Sequence, residues 1–281
     1  LSGRSQPSRP FGPAACDANF DMTARLEVDR LSLAFGGLHA LEGMSMVIPP
    51  KGITGLIGPN GAGKTTFLNC VSGLVRPDSG RVLLDDVDVT GFAPDRIAAL
   101  GISRTFQLAR GFARMSVYEH LMVHGRQHPN ERLIAGIIGS KAGWRKEDEL
   151  DAQARATAKR LGFGRLLDAP ITALSGGQKR LLEIGCALMS DPKLILLDEP
   201  MAGANPTLRN EIARYLRTLR DEGVTVLLIE HDMPLVESLC DHVCVMARGR
   251  LLAGGTFAEI VANPAVQDAY LGICAADRAN S

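Results

Sequence analysis

The octapeptide Gly58-Pro59-Asn60-Gly61-Ala62-Gly63-Lys64-Thr65 constrains the fold of this chain more than any other feature. It satisfies G-x-x-x-x-G-K-[ST] at every fixed position. The apolar run Ile53-Thr54-Gly55-Leu56-Ile57 leads into it, and the helix-capable segment Thr65-Thr66-Phe67-Leu68-Asn69-Cys70-Val71 follows. Strand, glycine-rich turn and helix start, in that order, make a phosphate-binding loop. The glycines admit backbone conformations closed to other residues, so successive N–H groups converge on one anion at the positive end of a helix dipole. Lys64 is placed to reach the outer phosphates of a nucleoside triphosphate, and the Thr65 hydroxyl to ligate Mg²⁺. Gly58 to Thr65, with Thr66, is the candidate nucleotide cradle.

The chain has 281 residues, enough for one large domain or two small ones, and its 46% hydrophobic content is ordinary for a protein with a sizeable core. Lys plus Arg equals Asp plus Glu, 31 each, so the basic imbalance of a nucleic-acid binder is missing and no nucleic-acid partner is expected. No apolar run approaches the roughly 18–20 residues a membrane-spanning helix needs. Expectation: a soluble chain, or one that docks on a membrane protein without entering the bilayer. The six cysteines, Cys16, Cys70, Cys186, Cys240, Cys244 and Cys274, are scattered and read as reduced thiols, mostly buried. Cys240, His242 and Cys244 lie close together but lack a second ligand pair at finger-like spacing, so no structural metal is expected. Residues 1–22, rich in Ser, Pro, Gly and Arg, read as a flexible extension, with Met22 a candidate start.

From Leu26 the pattern is β-rich. Leu26, Val28, Leu31, Leu33 and Phe35 predict a strand pair or one bulged strand, Met44–Ile48 a second, and Arg81–Asp85 another after the Pro77-Asp78-Ser79-Gly80 turn. The middle is helical. Val117–Gly125, Lys146–Leu161 and Ser175–Met189 carry helical spacing, with Arg126–Trp144 as a connector. Strands and helices then alternate: Lys193–Leu197, a helix over Leu208–Arg220, Val224–Ile229, Val243–Ala247, Arg250–Ala253 and C-terminal helices. The near-continuous apolar character of 194–197 and 224–229 fits a parallel sheet covered on both faces.

Two further segments carry chemistry. Leu194-Ile195-Leu196-Leu197-Asp198-Glu199 is a buried strand ending in two carboxylates. Open α/β sheets place ligands at that end, so Asp198 suits a Mg²⁺ role and Glu199 the polarisation of an attacking water. Leu174-Ser175-Gly176-Gly177-Gln178 opens a helix, with Ser175 as N-cap and the glycines leaving N–H groups free at a positive dipole end. A second anion-binding element far along the chain is explained by a second subunit, each copy's phosphate loop facing the other's Ser-Gly-Gly-Gln.

On these motifs and their order the chain resembles the ATP-binding subunits of ABC transporters, from about Arg25 to Gly272. The resemblance implies an α/β P-loop NTPase of the ABC-cassette type. Residues 23–272 would form it, with an N-terminal antiparallel β subdomain, an inserted helical subdomain at about 107–185, and a tail over 273–281. It implies that Phe35 stacks on adenine, that Gln107 senses Mg²⁺ and the attacking water, and that His231 is the switch histidine at the γ-phosphate. One position departs from the pattern: Asn205 stands where many such cassettes have Asp, which keeps an acceptor and loses a charge.

Phe35–Leu41, Arg104-Thr105-Phe106-Gln107, Glu199–Pro206 and Ile229-Glu230-His231-Asp232-Met233 resemble the branched-chain amino acid importer subfamily, as do the insertion near Arg126–Trp144 and the ending Ala269-Tyr270-Leu271-Gly272. That likeness implies ATP and Mg²⁺ as cofactors and a second ABC ATPase subunit, identical or different. It also implies transmembrane permeases, indirectly a periplasmic or extracellular solute-binding protein, and a peripheral location on the cytoplasmic face of the bacterial inner membrane. Lipopolysaccharide-export ATPases and amide or urea importers share parts of the pattern. A translation or DNA-repair ATPase would be expected to carry fused cassettes or a long coiled-coil insertion.

Overall fold

The computed structural model describes residues 26–105, 114–125 and 141–270, without the side chains of 141–146. Gln107, the extension 1–22, the tail 273–281, Cys16, Cys274 and most of the expected connector lie outside the described residues.

The strands, in chain order, are β1 (Leu26–Phe35), β2 (Leu38–Ile48), β3 (Ile53–Ile57), β4 (Ser79–Leu84), β5 (Val87–Asp88), β6 (Ile102–Arg104), β7 (Leu194–Asp198), β8 (Thr225–Ile229), β9 (His242–Ala247) and β10 (Arg250–Gly255). The helices are α1 (Lys64–Val71), α2 (Pro94–Ala99), α3 (Val117–Val123), α4 (Lys141–Arg160), α5 (Gly176–Leu188), α6 (Pro206–Asp221), α7 (Met233–Leu239) and α8 (Phe257–Ala262). Residues 264–270 are also helical.

The strands form two sheets, an antiparallel one in the order β2-β1-β4-β5 and a six-stranded one in the order β10-β9-β3-β8-β7-β6. In the second, β6, β7, β8, β3 and β9 run parallel, and β10 returns antiparallel as a hairpin with β9. β1 is one strand with register shifts, which resolves the expected choice between a pair and a bulged strand. The shift after Val28 coincides with Arg30 at φ 46, a left-handed residue that kinks the strand.

Period-two alternation along the central strands splits the core. Ile195 and Leu197 of β7 and Val226 and Leu228 of β8 join one cluster with Leu121, Leu150, Ala154, Leu182 and Leu216 of the helices. Leu194, Leu196, Leu227 and Ile229 join the opposite cluster with Phe67, Leu68 and the inner residues of β1 and β2. The parallel sheet is therefore covered on both faces, as its continuous apolar runs require. On α4, Leu150, Ala154 and Ala158 are buried, as is Leu161 just past its end, while Asp148, Arg155 and Lys159 are exposed, the division that helical spacing predicts. The helix begins at Lys141 rather than Lys146, so residues 141–144 belong to it and not to the connector. Among the described residues no helix is long and apolar enough to cross a membrane.

Three short elements, α2, β6 and α7, carry too few residues to show a period. Each is nonetheless defined by what it packs on: β6 pairs with β7, with Arg104 opposite Leu196.

Candidate nucleotide-binding site

Register places the chemistry. Leu56 of β3 and Asp198 of β7 are both paired with Ile229 of β8. The three strands thus end level. Gly58, Glu199 and His231 leave the sheet at the same edge, from three segments far apart in sequence.

The loop is held open by its neighbours. Gly63, the N-cap of α1, has φ 97, and a Cβ there would meet the Ala40 carbonyl oxygen of β2 at 2.5 Å. Neither the backbone angle nor the space admits a side chain. On the other side the Gly249 N–H of the β9–β10 turn donates to Ala62 O at 3.0 Å. Gly61, Asn60 and Thr65 remain exposed, and Pro59 and Thr66 half-buried, around the start of α1. The Lys64 ammonium donates to Gly58 O at 2.7 Å and Pro59 O at 2.9 Å. Burial lowers its pKa, while the charges of Glu199 and Asp198 act to raise it, so the cation and both carboxylates share one locale.

Asp198 closes β7, and the next residue breaks the strand. Glu199 has φ 46, with its N–H donating to Ile229 O at 3.0 Å and its carbonyl accepting from Ala202 N at 3.1 Å. A non-glycine residue in the left-handed region costs on the order of 1–3 kcal/mol and persists only where the surroundings fix it. Here the bond to β8 fixes it. Thr65, Arg104, Arg180, Glu183, Asp198 and Glu199 line a cleft of about 410 Å³. Oxygen donors from a threonine and a strand-end carboxylate suit a hard divalent cation, so the residues present fit Mg²⁺.

His231 Nδ1 lies 4.0 Å from Glu199 Oε1, with the histidine side chain largely exposed and the glutamate half-buried. Below them sits Glu230, a buried residue that the sequence reading passed over. Its Oε1 accepts from Met201 N at 3.1 Å, which ties the loop after Glu199 to the strand carrying His231. Burial raises the Glu230 carboxyl pKa, against the lowering effect of backbone hydrogen bonds from Met201 and His231. Arg209 makes a second tie, donating to Ala204 O at 3.0 Å and to Asp232 Oδ2 at 2.5 Å.

Ser175 caps α5 as the sequence predicts, but in both directions. Its Oγ accepts from Gln178 N at 3.2 Å, and its N–H donates to Gln178 Oε1 at 2.9 Å. Gly176 is exposed, whereas a Cβ on Gly177 would meet Leu208 Cδ2 at 2.1 Å, so Gly177 also allows α5 to approach α6. None of the four residues Ser175 to Gln178 lines the cleft that holds Thr65 and Asp198. Asn205, the departure from the expected Asp, caps α6 by accepting from Leu208 N at 2.9 Å. That bond needs an acceptor and no charge. Phe35 ends β1 with 52% of its surface exposed, a ring open for stacking. Cys70, Cys186 and Cys244 are buried thiols, Cys240 is partly buried, and His242 is a buried strand residue of β9.

A parallel sheet with a glycine loop, a strand-end acid and a histidine at its ligand edge defines a nucleoside-triphosphate-binding α/β protein of the P-loop class. Residues 41–202 match the ABC transporter family, and residues 250–273 match the model described as branched-chain amino acid ATP-binding cassette transporter. The chain belongs to the ABC transporter family, as an ATP-binding subunit with the ATPase fold of that family.

Among curated proteins it is 40% identical over 248 residues to the high-affinity branched-chain amino acid transport ATP-binding protein BraF of Pseudomonas aeruginosa, covering 88% of this chain and 97% of that one. It is 38% identical over 248 residues to the corresponding protein LivG of Escherichia coli K12, covering 88% and 97%. Among solved structures, a nucleotide-free ATP-binding cassette of an ABC transporter superposes with a TM-score of 0.78 at 33% identity, over 88% of this chain and 98% of that one. A cassette in its ADP conformation gives 0.77 at 34% identity, over 89% and 99%.

Proposed function

We propose that this chain is the motor of a branched-chain amino acid importer, binding Mg²⁺·ATP at Gly58–Thr66 and hydrolysing it between paired cassettes. The shared sheet edge carries the reading: one level of β3, β8 and β7 delivers the phosphate loop, His231 and the Asp198-Glu199 pair to one place.

Thr65 and Asp198 would hold the metal, with Gln107 as a further ligand, and the bound ion supplies charge neutralisation on the phosphate oxygens. The loop N–H groups and Lys64 bind and orient the triphosphate. Glu199 accepts the proton of the attacking water, and His231 holds that water and the γ-phosphate in line. Phe35 stacks on the adenine. Ser175, Gly176, Gly177 and Gln178 present the exposed start of α5 to the nucleotide of a second ATPase subunit, which fits their position outside the chain's own cleft. ATP then does work because closed and open pairs bind it unequally. The pair would sit on transmembrane permeases at the cytoplasmic face of the inner membrane, supplied by an external solute-binding protein.

The test is uptake of labelled leucine, isoleucine and valine by cells lacking the gene. Uptake should fall and be restored by the wild-type chain but not by Glu199→Gln. Undiminished uptake of all three in the deletion strain would remove the importer assignment.

A further inference from the structure

Arg104 lies in the three-residue strand β6, with a side chain only 9% exposed. Its Nη2 donates to Asp198 Oδ2 at 3.2 Å. Its Nη1 donates to Asn69 Oδ1 at 2.6 Å and to Ser72 Oγ at 3.3 Å. Asn69 is on α1 and Ser72 is its C-cap, so the guanidinium is fixed at once by the helix that begins with Lys64 and by the strand that ends in Asp198. A planar fork with fixed donors can hold both ends; a single ammonium cannot. Burial of an ion pair is a poor source of stability, because desolvation offsets much of the Coulombic gain. Its place at the cleft points to another role.

Of the three carboxylates lining the cleft, Glu183 and Asp198 each face an arginine, whereas Glu199 has His231 at 4.0 Å. Arg180 Nη1 is 3.1 Å from Glu183 Oε2, and Arg104 is paired with Asp198. The Lys64 ammonium is spent on two loop carbonyls. A free divalent cation approaching Asp198 therefore meets a carboxylate whose charge is cancelled by a fixed guanidinium. A triphosphate adds several negative charges and reverses that balance.

We propose that Arg104 is a positioning residue for metal capture: it stands in for the cation's charge beside Asp198 and keeps the cleft from holding a divalent ion until nucleotide arrives. The inference rests on Asp198 being the metal carboxylate. It makes metal entry depend on triphosphate and keeps the Asp198 carboxylate in one place meanwhile.

Mn²⁺ is the probe, titrated by electron paramagnetic resonance against the full chain, with and without a non-hydrolysable ATP analogue. Without nucleotide, Arg104→Gln and Arg104→Met should bind Mn²⁺ about tenfold tighter than wild type, the effect of removing one unit charge roughly 6 Å from a divalent ion in a water-like dielectric. Arg104→Lys, which keeps the charge, should stay as weak as wild type. With the analogue bound, the difference should shrink. Either neutral variant is sufficient if the other fails to fold. A merely structural arginine would lower the thermal midpoint in these variants and leave free Mn²⁺ affinity unchanged or weaker, and that result overturns the inference. Asp198→Asn separates the two levels. If it leaves Mn²⁺ affinity in the presence of analogue unaltered, the metal reading of Asp198 fails and takes the inference with it. If it weakens that affinity while the neutral Arg104 variants match wild type, the inference alone fails.

Discussion

His231 Nδ1 and Glu199 Oε1 stand 4.0 Å apart although 32 positions separate them in the chain (231 − 199). Parallel pairing of β7 with β8 produces this approach, and the left-handed backbone of Glu199 turns its carboxylate out of the strand. Glu199→Gln keeps the shape and removes the proposed base. Nucleotide affinity should stay within a few-fold of wild type, and phosphate release by the assembled pair should fall about 10²–10⁴-fold. Turnover close to wild type would reassign the base.

Ser175→Ala separates two uses of one side chain. As a cap it contributes about 1 kcal/mol, so the thermal midpoint should drop only modestly. In the proposed role of donor to a partner's nucleotide it would contribute a charge-assisted bond of about 1.5–3 kcal/mol, so hydrolysis by the assembled pair should fall roughly 10- to 150-fold. A mixed pair, with one Ser175→Ala chain and one Lys64→Ala chain, should reveal which of the two sites is damaged.

Gly63→Ala meets both a φ of 97 and the Ala40 carbonyl at 2.5 Å. The substitution should cost about 1–3 kcal/mol of stability, measured by denaturant unfolding. Because relief requires the loop to move, binding of a fluorescent ATP analogue should weaken as well. Unchanged binding would mean that the loop tolerates a different path.

His242 and His120 are both buried, and burial lowers the pKa of each below 6.5, with the charge of Glu259 opposing that shift at His242. A depressed histidine pKa means the folded state prefers the neutral ring. The associated stability is present above the unfolded pKa near 6.5 and is lost as pH falls through the lower folded value, with a slope of at most about 1.4 kcal/mol per pH unit per group. Thermal unfolding at pH 7.5 and 5.5 should show a smaller acid loss in His242→Gln than in wild type. Equal losses would place the acid sensitivity elsewhere.

Some of this was legible because it is local. The phosphate loop, the strand ending in Asp198-Glu199 and the cap at Ser175 are contiguous patterns whose residue types are dictated by backbone geometry and helix ends. The buried stripe of α4 followed from spacing alone, since i, i+4 neighbours share a face whatever they pack against. Arg104 and Glu230 left no such trace. Arg104 sits in a strand too short to show a period, and Glu230 looks like any acid beside a histidine until its carboxylate is seen to accept from Met201.

The amino-acid order by itself therefore determined which groups this protein has for holding a triphosphate, because loops, caps and strand ends are written in adjacent residues. Only the tertiary structure decided how those groups meet. Strand register brings residues 58, 199 and 231 to one edge, and Arg104 joins the loop helix to Asp198. The reason is that side-chain pairing across a sheet depends on distances between segments, and no local pattern encodes the distance between strands that sequence keeps far apart.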